Sequence, residues 1–152
     1  MQVCLFQPEI AQNVGAVIRT AVCFGCPVHL VEPMGFVWDE PRMRRAGMDY
    51  LERAQIIRHK SWQHFLDALP EGVRLVALTK FAENRLDDFS FAANDILLFG
   101  NEGHGLPPEA HDRADARIRI PMVEGERSLN LAQSVGMSLF MGLMKTGQLS
   151  KA

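Results

Sequence analysis

The chain has 152 residues, 47% apolar and 22% charged, which is ordinary for a globular protein and points to one domain over 1–152. Its formal net charge of −2 excludes a global positive field that would draw in nucleic acid, so any RNA contact has to come from a local patch. No apolar run approaches the roughly 20 residues that span a bilayer, the first residues read straight into a strand without a leader, and three cysteines argue against a disulfide framework, so the expectation is a cytoplasmic protein with no membrane partner.

Val3 to Phe6 predicts a first strand, ended by Pro8. Asn13 is placed to cap the following helix through its side-chain oxygen. In that helix Val14, Val17, Ile18, Ala21 and Val22 share one face, and Gly25 is a fitting stop. Val28 to Val31 is a second strand. The stretch from Glu32 to Arg53 is irregular, broken by Pro33, Gly35, Pro41 and Gly47. Ile56-Ile57 predicts a short strand, and Ser61 caps a helix carrying Phe65, Leu66 and Leu69. Leu75–Leu78, Ile96–Phe99 and Ile118–Ile120 are further strands, with a short helix opening at Pro107 between the last two. Strands alternating with helices imply an α/β fold with a mostly parallel sheet flanked by helices.

The closing helix, Asn130 to Thr146, is apolar on two sides. Leu131, Val135, Leu139 and Leu143 line one face, and Met137, Phe140, Met141 and Met144 the other. Such a helix has to be covered twice. The sheet can supply one cover, and a second copy of the chain is the expected source of the other.

Small and polar residues cluster where two strands stop, which is where open α/β sheets place ligands. The loop Gly100-Asn101-Glu102-Gly103-His104-Gly105 lets backbone approach a ligand closely, although it has neither the dinucleotide-binding spacing nor a Gly-Lys-Ser/Thr phosphate loop. Cys23 and Cys26 have C-x-x-C spacing at a helix C-terminus, where the dipole disfavours a thiolate. They read as buried structural thiols, and with no second ligand pair no metal site is expected. Pro41-Arg42-Met43-Arg44-Arg45, followed by Arg53, Arg58 and Lys60, is the main basic cluster. With Trp38 and Tyr50 nearby for stacking, it is the candidate RNA-binding surface, with Arg42, Arg44, Arg45 and Tyr50 as its contacts. Asp39, Glu40, Asp49 and Glu52 interleave with it, so a salt-bridged surface is the competing reading.

Three ordered stretches, Asn13…Arg19-Thr20, Leu98-Phe99-Gly100-Asn101-Glu102-Gly103-His104-Gly105-Leu106 and Ile120-Pro121-Met122…Ser128-Leu129-Asn130, resemble the three motifs of the SpoU branch of the SPOUT RNA methyltransferases. The stretches Glu32-Pro33-Met34-Gly35-Phe36-Val37-Trp38-Asp39 and Arg44-Arg45-Ala46-Gly47-Met48-Asp49-Tyr50 are similar to the small TrmL (YibK-like) subfamily. The resemblance implies an S-adenosylmethionine-dependent ribose 2′-O-methyltransferase of the SPOUT-type α/β knot fold. It further implies a C-terminal trefoil knot, a homodimer, and the wobble nucleotide of leucine tRNAs, read in the anticodon stem-loop, as substrate. Residues at matching positions imply that Leu78, Thr79, Gly100, Ile120, Met122, Ser128, Leu129 and Asn130 border the cofactor. Arg19 matches the arginine proposed to act on the ribose hydroxyl, with Asn13, Glu102, Ser128 and Asn130 beside it. A guanidinium with a pKa above about 12 is a poor base, so positioning and charge stabilisation suit Arg19 better than proton removal. The same chemistry on another tRNA position or on ribosomal RNA, and a non-catalytic RNA-binding role, are the alternatives.

Overall fold

The computed structural model describes residues 1–41 and 50–149. Seven strands make one sheet: β1 Gln2–Phe6, β2 Val28–Val31, β3 Ile56–His59, β4 Leu75–Leu78, β5 Asn84–Arg85, β6 Ile96–Phe99 and β7 Ala116–Arg119. Their order is β3-β2-β1-β6-β4-β7-β5 and every pairing is parallel. Parallel strands covered on both faces carry continuous apolar runs; β2 and β6 are accordingly buried at every position.

Among the described residues, helices α1 Ala11–Phe24, α2 Trp62–Asp67, α3 Pro108–Arg113 and α4 Leu131–Lys145 cover the sheet. Successive strand residues point to opposite faces, and the core divides accordingly. Val3, Leu5, Leu30 and Leu97 pack with Val14, Ile18, Val135 and Leu139 of α1 and α4. Cys4, Phe6, Val31 and Leu98 pack on the other side with Phe65 of α2 and Ala110 of α3. Gly25 ends α1 in the left-handed region at φ +66°, and the Ser61 hydroxyl accepts the His64 N–H at 3.1 Å to open α2.

Some expectations shift. Helix α1 starts at Ala11, two residues before Asn13, so Asn13 does not cap it; a stronger tertiary partner takes its side chain. Pro108, rather than Pro107, occupies the first position of α3. Strand β7 ends at Arg119, which leaves Ile120 in the loop beyond. Strand β5 is an exposed two-residue pairing with the β7 edge, and nothing in Asn84-Arg85 announces it. Cys4 and Cys26 are buried and burial raises both thiols, but Cys23 is exposed. Among the described residues no helix is long and apolar enough to cross a membrane.

Helix α4 buries Leu131, Val135, Leu139 and Leu143 and leaves Met137, Phe140 and Met144 exposed at 42, 46 and 48%. Met141 departs from the expected outer face and packs against the core.

At the β2–β3 edge His29 Nδ1 lies 2.9 Å from His59 Nε2, and His29 Nε2 lies 2.6 Å from Gln2 Oε1. With Gln2 accepting, His29 is neutral and accepts from His59. Burial first, then the neighbouring His59, pushes the His29 pKa down to about 4, from 6.5. The unfolded chain therefore takes up a proton that the folded chain refuses between these values. Stability is full above pH 6.5 and falls as pH drops toward 4, by about 3 kcal/mol. Denaturant titrations from pH 4 to 7 on the protein and on His29→Gln check this: the wild-type slope against pH exceeds the variant's in that window, whereas parallel slopes would contradict it.

Candidate active site

In an all-parallel sheet the C-terminal strand ends fall along one edge. At that edge the segments following β4, β6 and β7 and the start of α4 enclose a cavity of about 870 Å³. All eight residues expected to border the cofactor, Leu78, Thr79, Gly100, Ile120, Met122, Ser128, Leu129 and Asn130, line it, and so do Asn13 and Glu102.

The loop after β6 folds back on itself. Asn101 and Gly105 exchange backbone hydrogen bonds of 3.3 and 3.0 Å, Gly105 sits at φ +72°, and the Asn101 side chain accepts the His104 N–H at 2.7 Å. A Cβ on Gly100 would lie 2.1 Å from the Gly105 carbonyl carbon and 2.3 Å from the Leu106 nitrogen, so no side chain fits there.

A chain of polar contacts ties this loop to the rest of the cavity wall. One Glu102 oxygen accepts the Glu9 N–H and the other accepts the Asn13 side-chain amide, both at 2.8 Å. The Asn13 oxygen accepts the Asn130 amide at 2.9 Å. The Asn130 oxygen then caps α4 by accepting the N–H groups of Ala132 at 2.9 Å and Gln133 at 3.3 Å. Asn130 thus caps α4 and Asn13 is a connector between the two loops. Glu9 returns the contact by accepting the Gly103 N–H at 2.9 Å. Glu9 was not among the expected site residues; its position in Pro8-Glu9, directly after a strand end, is the signal that could have found it.

Arg19 stands apart. It is exposed on α1 and is not part of the cavity wall. Its guanidinium carbon lies 5.0 Å from the centre of the Tyr50 ring, and that of Arg53 lies at the same distance. Tyr50, expected to stack on a base, has these two arginines against its ring. Arg42, Arg44 and Arg45 lie outside the described residues. Trp38, the other aromatic of that cluster, is under Arg58 at 5.4 Å. Among the described residues no group of three or more His, Cys, Asp or Glu side chains is arranged to hold a metal ion.

The chain is similar to known proteins over nearly its whole length. Residues 1–140 match the model of the SpoU rRNA Methylase family. A protein of Polaromonas sp. named tRNA (cytidine(34)-2′-O)-methyltransferase is 44% identical over 148 residues, covering 95% of this chain and 90% of its own. A solved structure concerned with the 2-OH methylation of C/U34 on tRNA superposes with a TM-score of 0.89 at 42% identity, covering 95% of this chain and 94% of that one. An AdoMet-bound rRNA methyltransferase from Sinorhizobium meliloti superposes with a TM-score of 0.81 at 30% identity, over 94% of this chain and 55% of that one.

The two functions of the Asn130 side chain are separable. Asn130→Ala removes the cap of α4 and lowers stability by about 1 kcal/mol. Asn130→Asp keeps an oxygen for the Ala132 and Gln133 N–H groups, but has no amide to give Asn13. Urea unfolding is expected to place Asn130→Asp within about 0.5 kcal/mol of wild type; equal losses in both variants would mean that the contact to Asn13, and not the cap, stabilises the helix.

Proposed function

The chain belongs to the SpoU rRNA methylase family and is an RNA methyltransferase, and from that premise we propose that it transfers a methyl group from S-adenosylmethionine to the ribose 2′-hydroxyl of the wobble nucleotide, position 34, of tRNA. The observation that carries this reading is the near-full-length identity of 44% to a relative named for that reaction, on a fold whose motif residues share one cavity. Leucine tRNAs, which the sequence resemblance implies, are the first isoacceptors to assay, and such a substrate sets the work in the cytoplasm.

The cavity suits the cofactor. Leu78 and Ile120 offer apolar walls for an adenine, backbone groups beyond three strand ends are at hand for hydrogen bonds, and the missing side chain at Gly100 lets the loop after β6 fold tightly into the cavity wall. About 870 Å³ is ample for a ligand of that size. When bound, S-adenosylmethionine supplies an electrophilic methyl on a sulfonium centre. Gly100, Leu129 and Ser128 would hold it, and the Glu102–Asn13–Asn130 contacts keep the two loops in register around it.

Arg19 lies six residues beyond Asn13 on α1, about 9 Å along the helix axis at 1.5 Å per residue. In this proposal it grips the RNA beside the target ribose, orients the 2′-oxygen and stabilises the charge that develops on it. Its guanidinium stays protonated, so the 2′-proton leaves to another acceptor, for which a neighbouring RNA phosphate is suited. The exposed Met137, Phe140 and Met144 of α4 form the face through which a second copy docks.

Methylation of leucine-tRNA anticodon stem-loops with nucleotide mapping tests the reading: label at position 34 supports it, and label elsewhere or none rejects it. Arg19→Ala is expected to lower turnover by at least about a hundredfold with cofactor affinity unchanged in calorimetry. A near-normal rate would remove Arg19 from the reaction. Phe140→Glu is expected to sediment as a monomer, and a persistent dimer would place the interface elsewhere.

A further inference from the structure

The turn after β4 puts an aromatic side chain where an unliganded protein has no use for one. Phe81 is 79% exposed, the most exposed aromatic residue among those described. It is not on a loose loop. The Thr79 N–H donates to the Ile118 carbonyl at 2.9 Å, the Ala82 N–H donates back to the Thr79 carbonyl at 3.3 Å, and the Ala82 side chain is buried. Anchored on both sides, the chain holds Phe81 outward on the rim of the cavity, with the Lys80 ammonium 5.2 Å from its ring centre.

The charges on this rim are one-sided. Lys80 and Arg127 line the cavity, and the only carboxylate on its wall among the described residues, Glu102, already accepts from Glu9 and Asn13. In a chain of net charge −2, this is a local concentration of positive charge beside an exposed ring that carries the lysine over one face. A flat apolar face with a cation beside it is the combination that takes an unstacked nucleobase and its phosphate. Tyr50, the aromatic next to the basic cluster, is only partly exposed and has two arginines against its ring, where Phe81 is open and has one lysine.

We infer that Phe81 is the platform on which the base of the target nucleotide stacks, and that Lys80 contacts the phosphate next to it. This rests on the RNA methyltransferase reading and adds to it the element that holds the base while the ribose faces the methyl donor. It also assigns part of substrate recognition to the segment after β4, away from the arginine cluster.

The test uses the full-length protein with two anticodon stem-loops, one intact and one abasic at the target nucleotide with its ribose retained. Phe81→Ala is expected to raise KM for the intact RNA roughly tenfold, as the loss of one base–aromatic stack does. Phe81→Trp restores it, cofactor affinity in calorimetry and the sedimentation coefficient stay unchanged, and the abasic RNA does not distinguish Phe81→Ala from wild type. An equal penalty on both RNAs overturns the inference, as does weaker cofactor binding or a change in oligomeric state. Fluorescence anisotropy of the same RNAs without cofactor separates this claim from the catalytic one. Affinity that depends jointly on Phe81 and the target base, in a protein that transfers no methyl, would retire the enzymatic reading and keep the stack. Methylation at position 34 with no such dependence would do the reverse.

Discussion

The Glu102 carboxylate is the joint on which the cavity depends. Its two oxygens accept from the Glu9 backbone, just beyond β1, and from the Asn13 side chain in α1, each at 2.8 Å. Hydrogen bonds to an ionised acceptor are about twice as strong as neutral ones, and these two fasten the loop after β6 to segments some 90 residues earlier. Asn13 passes the connection to Asn130, and Asn130 opens α4. The loop can fold back to this joint because Gly100 has no Cβ; one there would stand 2.1 Å from the Gly105 carbonyl carbon.

From this joint the rest of the functional geometry follows. A fully parallel sheet sends all its C-terminal strand ends to one edge, so the polar loops collect there while both faces stay apolar. The central strands are buried, and the loops beyond their C-terminal ends line the cavity. Electrostatics are local in the same way. The chain is slightly acidic overall, yet arginines gather around Tyr50 and a lysine and an arginine stand on the cavity rim. The His29–His59 pair belongs to the β2–β3 edge and serves the fold.

Much of this fold is legible in the amino-acid sequence. Apolar runs such as Ile96–Phe99, the Gly25 stop and the two-sided pattern of the last helix are local signals, and their elements lie within a residue or two of expectation. The residues bordering the cavity are legible through family resemblance, because no periodicity brings Leu78, Gly100 and Ile120 together. The rest is decided by tertiary partners. Asn13 has the chemistry of a cap, and only the position of Glu102 makes it a connector. Tyr50 has the chemistry of a stacking surface, and two arginines claim it. Asn84-Arg85 pairs with β7 although neither residue favours a strand. The trefoil knot rests on resemblance alone, since threading leaves no trace in local pattern and chains as a rule avoid it.

If the ends of β4, β6 and β7 grip the methyl donor together, all three must respond when it binds. Backbone amide chemical shifts recorded while S-adenosylmethionine is added read this out residue by residue. Saturable shifts confined to the segments 78–82, 100–106 and 120–131 are expected, with the β2–β3 edge around His29 and His59 unmoved. Shifts centred elsewhere, or in only one of the three segments, would refute a shared grip.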